Sequence, residues 1–241
     1  MRVLIPQSGS PPGGWQAGKR VDLDADEGHH LRVRRARERD SVEILDGAGL
    51  RGTGQLVRAG KGWAVEIQSV AHEPRPAELA LAVAAGDRDR FSWMLEKAVE
   101  LGVTRVVPLE TERSSGVATG IRDAHLPKLR RHALEATKQC GVTWAVEIEE
   151  PLSLDEFLGR PVAGSGWLAD RSGAPPPAQL FDSSLTIVIG PEGGLSEGER
   201  AGAIAAGYQP TVLSPNTLRF ETAALAGAAL VTLARMRGSN G

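Results

Sequence analysis

Near the C-terminal end, two short apolar runs each break into an irregular loop that leads into a helix. Few architectures accommodate that pair. Thr186 to Ile189 is β-branched and apolar and is expected to be a buried strand. It runs into Gly190-Pro191-Glu192-Gly193-Gly194, where Glu192 is the only large side chain. Ser196 then has the chemistry of a helix cap, with Glu197 and Glu199 in the first turn. Thr211 to Leu213 is expected to be a second strand, followed by Ser214-Pro215-Asn216 and an Ala-rich helix from about Phe220. Open α/β sheets bind ligands at the carboxyl ends of their strands, where both loops fall.

Three readings of the loops stand side by side. Glycines set only for sterics would give an ordinary strand–helix turn. A phosphate loop would need a Gly-Lys-Ser/Thr after the glycines, and none follows. A small-molecule pocket built from main chain would use the glycines to let backbone approach a flat ring. Two such loops close together favour the third.

Upstream, the same alternation continues. Leu79 to Ala84 is nearly all apolar and reads as a strand buried on both faces, ended by Gly86 and Asp87. Phe91, Met94, Leu95, Ala98 and Val99 follow at helical spacing, and Gly102 stops the helix. Further strands are expected at Val103 to Leu109, Ala145 to Glu149 and Trp167 to Asp170. Helices are expected at Leu126 to Cys140 and Leu154 to Leu158, and a surface loop at APPPAQ, residues 174–179. Strands alternating with helices predict an α/β fold with a mainly parallel, doubly wound sheet over residues 77–241.

Residues 1–73 read differently. Short strands are expected at Arg2 to Pro6, Lys19 to Leu23, Ser41 to Asp46, Gly54 to Arg58 and Trp63 to Val70, with SGSPPGG as a loop and a helix from Asp26 to Arg37. Many short strands with glycine turns predict a small barrel. Gly47-Ala48-Gly49-Leu50-Arg51-Gly52 matches a dinucleotide-binding pattern, but strand-like residues follow it, so it is expected to be a hairpin turn. Arg32, Arg34, Arg35, Arg37 and Arg39 crowd together. They form either a solvated helix face or a patch for nucleic-acid phosphates; the planar fork of arginine suits the second. The linker His72-Glu73-Pro74-Arg75-Pro76 separates the two segments.

Composition closes off other classes. With a net charge of −2, any nucleic-acid site must be a local basic patch. The lone Cys140 excludes an internal disulfide and is expected to be a packed thiol. The five histidines have no metal-ligand spacing, so no metal is expected. No apolar run is long enough to span a bilayer and MRVLIPQSG has no signal-peptide core, so a cytoplasmic protein without a membrane partner is expected.

IGPEGGLSEGE at 189–199 and LSPNTLRFETAALAGAAL at 213–230 resemble the C-terminal signature of the ribosomal RNA small subunit methyltransferase E family, of the SPOUT class. LEKAVELGVTRVVPLETERS at 95–114, EATKQCG at 135–141 and HHLRVRRARERDSVEILDGAG at 29–49 resemble other blocks of the family, in the right order. The resemblance implies a SPOUT-type trefoil-knotted methyltransferase domain behind an N-terminal PUA-like β-barrel that docks RNA. It implies S-adenosylmethionine as cofactor, N3 of a uridine in 16S ribosomal RNA of the small ribosomal subunit as target, and a homodimer. Departures from the family pattern are Ser214 for a glycine, Asn216 for an arginine, and Val142 where an arginine often stands. They keep two alternatives in view: a non-catalytic RNA-binding protein with a degenerate cofactor pocket, and a related methyltransferase acting on another RNA such as transfer RNA.

Methylating an imide nitrogen requires its proton to leave and the ring charge to be held. Arg219 is the candidate to hold that charge, since an arginine cannot act as the base. Glu192 or Glu221 would take the proton or orient Arg219, unless they serve as a cap or pair with Arg219 to pin the loop. The cofactor is expected on Leu168 and Ala169, on Ile189, Gly190, Pro191, Gly193, Gly194 and Leu195, and on Leu213, Ser214, Pro215 and Leu218. Arg32, Arg34 and Arg35 are expected to contact RNA, and Arg113 to reach RNA or a dimer partner.

Overall fold

A computed structural model describes residues 1–5, 14–84, 87–114, 125–177 and 183–238. The SGSPPGG loop before its last glycine, Gly86, and the end of the APPPAQ run lie outside the described residues. The chain forms two units: Met1–Arg75 with Thr137–Ala145, and Pro76–Ala136 with Val146–Gly241.

In the first unit, β1 (Arg2–Leu4), β2 (Arg20–Asp22), β3 (Ser41–Leu45), β4 (Leu50–Ala59) and β5 (Gly62–His72) form one sheet in the order β1-β3-β4-β5-β2. Val3, Val21, Leu31, Val42, Ile44, Leu56, Trp63 and Val65 are among its buried core. The Gly47–Gly52 run is a hairpin connection, with Leu45 paired to Arg51 across antiparallel strands. Asp46 shapes it: Oδ1 accepts from the N–H groups of Ala48 (2.7 Å) and Leu50 (2.8 Å).

The helix α1 (Ala25–Val33) stops short of the expected Arg37. Arg35 takes a left-handed φ of 56°. The Arg35 N–H then donates to the Arg32 carbonyl (3.0 Å) and the Ala36 N–H to the Leu31 carbonyl (2.9 Å). That wraps the orphan carbonyls of the last turn and brings Ala36 onto the core beside Leu31.

Thr137–Ala145, expected with the second segment, belongs to this unit and is held there by polar contacts. Lys138 Nζ meets Glu27 Oε1 at 2.6 Å, Arg51 Nη2 donates to the Gly141 carbonyl at 2.9 Å, and Thr143 Oγ1 donates to Glu73 Oε2 at 2.8 Å. The indole N–H of Trp144 donates to the Glu73 carbonyl at 3.1 Å.

The second unit runs β6 (Leu79–Val83), α2 (Arg88–Glu100), β7 (Arg105–Glu110), α3 (Leu126–Cys140, whose end belongs to the first unit), β8 (Glu147–Ile148), β9 (Leu152–Ser153), α4 (Leu154–Leu158), β10 (Ser165–Ala174), β11 (Leu185–Ile189), α5 (Glu197–Ala205), β12 (Gln209–Thr211) and α6 (Phe220–Gly238). Its pairings are parallel, in the order β12-β10-β11-β6-β7-β8, with β9 beside β7. β6 is buried along its whole length, as a continuous apolar run requires. β12 lies two residues earlier than expected, and the Val212 N–H that follows it still donates to the Ala174 carbonyl of β10 at 2.9 Å. Gly227 interrupts the alanines of α6 because the helix crosses close over β11: a Cβ there would stand 2.8 Å from Ile187 Cδ1. Among the described residues no helix is long and apolar enough to cross a membrane.

Candidate active site

A cleft of about 320 Å³ opens at the carboxyl ends of β10, β11 and β12. Five pieces of chain line it: Leu168 to Arg171, the loop from Ile189 to Leu195 without Gly193, Arg200 of α5, the segment from Val212 to Leu218 without Pro215, and Phe220 and Ala223 of α6. Of the expected cofactor residues, Gly193 and Pro215 therefore stand outside the lining, and the other ten are brought together.

Local chemistry fixes each wall. The Gly194 N–H donates back to the Pro191 carbonyl (2.8 Å), and Gly194 takes a φ of 70° to close that turn. At Gly190 a Cβ would stand 3.2 Å from the Leu195 nitrogen, so the loop folds tightly on itself. Ser196 and Glu199 then start α5 with reciprocal hydrogen bonds of 3.2 and 2.8 Å. The other Glu199 oxygen accepts from the Glu112 N–H at 2.8 Å. Next to it, the Arg113 guanidinium donates to the Gly193 carbonyl and lies 3.4 Å from that of Gly194. Arg113, expected to reach RNA or a partner subunit, is bonded in this chain to the carbonyls of the glycine loop.

Ser214 stands where the family pattern has glycine. Its Oγ accepts from the Asn216 N–H at 3.1 Å, and its backbone has no left-handed φ, so a side chain is tolerated there.

The polar rim was not foreseen from the sequence. Arg171 Nη1 donates to Thr217 Oγ1 (2.8 Å), joining two walls of the cleft. Asp170 receives Arg200 Nε at 2.5 Å and both the N–H and Oγ of Ser172. Burial pushes the Asp170 carboxyl up, but these donors outweigh it and hold it below the usual range.

The three expected catalytic residues fall in different settings. Glu192 lines the cleft. Glu221 does not: it is buried in the first turn of α6, with Oε1 4.0 Å from Arg90 Nη1 and no hydrogen-bond partner for Oε2 among the described residues. Glu192 Oε1 lies 3.9 Å from the same Arg90 nitrogen. Arg219 is exposed, between the lining residues Leu218 and Phe220, and its side chain makes no hydrogen bond or ion pair among the described residues. The pairing of Arg219 with either glutamate is therefore replaced by Arg90. The available sequence signal for Arg90 was its position on a helix opening at the carboxyl end of β6, beside β11.

Residues 73–232 match the RNA methyltransferase domain family, and residues 23–64 the RNA methyltransferase PUA domain. The ribosomal RNA small subunit methyltransferase E of Synechocystis sp. is 32% identical over 84% of this chain and 69% of its own length. The protein of that name from Rickettsia conorii is 27% identical over 89% and 90%. The crystal structure of a ribosomal RNA small subunit methyltransferase E from Neisseria gonorrhoeae bound to S-adenosyl methionine superposes with a TM-score of 0.84, at 26% identity over 97% of both chains. The chain belongs to the ribosomal RNA small subunit methyltransferase E family.

Proposed function

We propose that this protein, acting as a homodimer, transfers a methyl group from S-adenosylmethionine to N3 of a uridine in 16S ribosomal RNA. The observation that carries the reading is the cleft itself: a concave site of small-molecule size at three strand ends, with Glu192 on its lining beside an Asp170 already bonded to Arg200, and at its edge Arg219, whose side chain has no partner among the described residues. Gly190 lines the cleft, and the close fold there leaves little room for a side chain, since a Cβ would stand 3.2 Å from the Leu195 nitrogen. Leu168 and Ala169, the Ile189–Leu195 loop and the Leu213–Leu218 segment would hold the cofactor. When bound, it supplies a methyl carbon on a positively charged sulfur that leaves as a neutral thioether.

The chain's own groups have the remaining work. Arg219, without a side-chain partner among the described residues, meets the charge that spreads onto the ring oxygens as N3 loses its proton. Glu192, on the lining, accepts that proton. Arg32, Arg34 and Arg35, exposed at the end of α1, meet RNA phosphates. The trefoil knot and the closed barrel implied by the resemblance belong to the same reading.

The test is transfer from methyl-labelled S-adenosylmethionine to small ribosomal subunits, followed by digestion to nucleosides and chromatography. 3-Methyluridine is the expected product. Another methylated nucleoside overturns the target, and cofactor binding without transfer to any RNA overturns the enzyme.

A further inference from the structure

We propose that Arg90 is a positioning residue for the transfer: it aims Glu192 at the reacting base and anchors it against the buried Glu221. The inference rests on the function proposed above. Glu192 sits on a loop between a proline and two glycines, and the Arg113 contacts that hold this loop end on backbone carbonyls, leaving the glutamate side chain untouched. Left alone, a half-exposed glutamate samples many rotamers, and an acceptor that must meet one proton loses rate accordingly. Arg90 supplies the missing constraint. Its backbone N–H is fixed by the α2 cap, donating to Asp87 Oδ1 at 2.8 Å. Its Nη1 stands between the two carboxylates, 3.9 Å from Glu192 and 4.0 Å from Glu221.

Glu221 is the rigid end of this arrangement. It belongs to the first turn of α6, where a negative charge is favoured by the helix dipole, and its side chain is 11% exposed. Glu221 Oε1 is the oxygen nearest Arg90, while Oε2 is buried with no hydrogen-bond partner among the described residues, a costly state for a carboxylate oxygen. Neither contact is short enough to be a hydrogen bond. A guanidinium carries five N–H donors in a planar fork, so a small rotation satisfies Glu221 and Glu192 together. Catalytic hydrogen bonds commonly tighten only once the reacting groups are assembled. Two arginines thus divide the labour: Arg219 is open to the ring, and Arg90 serves the acid pair.

The experiment is a double-mutant cycle in single-turnover transfer of label to small ribosomal subunits, with cofactor affinity and melting temperature measured on each protein. Glu192→Gln is expected to slow transfer about 10²-fold. Arg90→Ala is expected to slow it roughly 10-fold or more, with Arg90→Lys recovering part of the loss. In the Glu192→Gln background, Arg90→Ala is expected to cost nothing further, because Arg90 acts through that carboxylate. Cofactor affinity is expected to stay within about twofold, because Arg90 is not among the residues lining the cleft. If Arg90→Ala lowers the melting temperature, the cycle is read with Arg90→Gln, which keeps bulk and hydrogen bonding without charge. Multiplying losses in the double variant overturn the inference, as does a rate within a few-fold of wild type for either single variant. A wild-type protein that transfers no label overturns the functional reading instead; the position of the methyl mark does not enter the cycle.

Discussion

Arg219 stands between two residues of the cleft lining, yet its own side chain is in solvent with no partner among the described residues. A charge held by nothing at rest is available for charge that appears only during reaction. Arg219→Ala is therefore expected to lower kcat and kcat/KM together, on the order of 10²-fold, by analogy with losing an oxyanion donor. Cofactor affinity and melting temperature are expected to stay at wild-type values; a joint fall of both would return Arg219 to pinning its loop. At this scale the sequence was legible where loops line the cleft. Glycines, a proline and a cap residue mark a loop in any sequence, so Ile189–Leu195 and most of Leu213–Leu218 were readable. Arg90, Asp170, Arg171 and Arg200 were not, because each acts through the reach of a side chain from a separate element. Spacing along the chain carries no record of which arginine arrives where.

Between elements, the edge of the sheet opposite the cleft is held by charge. Arg105, the first residue of β7, donates to Glu149 at 2.8 Å and to Glu78 at 2.9 Å, and Arg160 reaches the other Glu149 oxygen at 2.6 Å. Burial raises the Glu149 carboxyl, while the bonds from Arg160 and Arg105 outweigh burial and hold it below its ordinary 4.5. A carboxyl lowered in the folded state adds stability above its unfolded value, and that stability is lost as pH falls through the folded value. Glu149→Gln is thus expected to cost about 1–3 kcal/mol at neutral pH. The gap from wild type should narrow as pH drops below 4.5, in denaturant titrations at several pH values. A gap that persists unchanged into acid would remove the ion pairs from the account. Activity is expected to survive in the folded variant, because the cleft lies at the other strand ends. Element order and the parallel sheet were readable from alternation, but the end of α1 was not. Arg35 in a left-handed conformation carries no glycine or asparagine to announce it, and the arginines on both sides continue a helical composition.

For the whole chain, a net charge of −2 means that any affinity for RNA comes from where the cations are. If Arg32, Arg34 and Arg35 meet phosphates, neutralising each is expected to flatten the log–log salt dependence of binding by roughly one unit on duplex RNA and by less on single strands. An unchanged slope would assign them to an ordinary solvated face. The first unit is also built from two stretches of sequence, Met1–Arg75 and Thr137–Ala145. The linker at Pro74–Pro76 gave no sign of this, since the return segment continues the helical pattern of α3. One consequence concerns breakage. A protease nick near Arg75 should leave the N-terminal piece clamped to the remainder through Lys138, Gly141, Thr143 and Trp144, so that the nicked protein migrates as one species on a native gel and parts only in denaturant. By the same reasoning, a recombination junction at Pro76 would graft a domain that lacks one of its own strips, and shuffling among relatives should tolerate such a junction only when residues 137–145 travel with the first seventy-five.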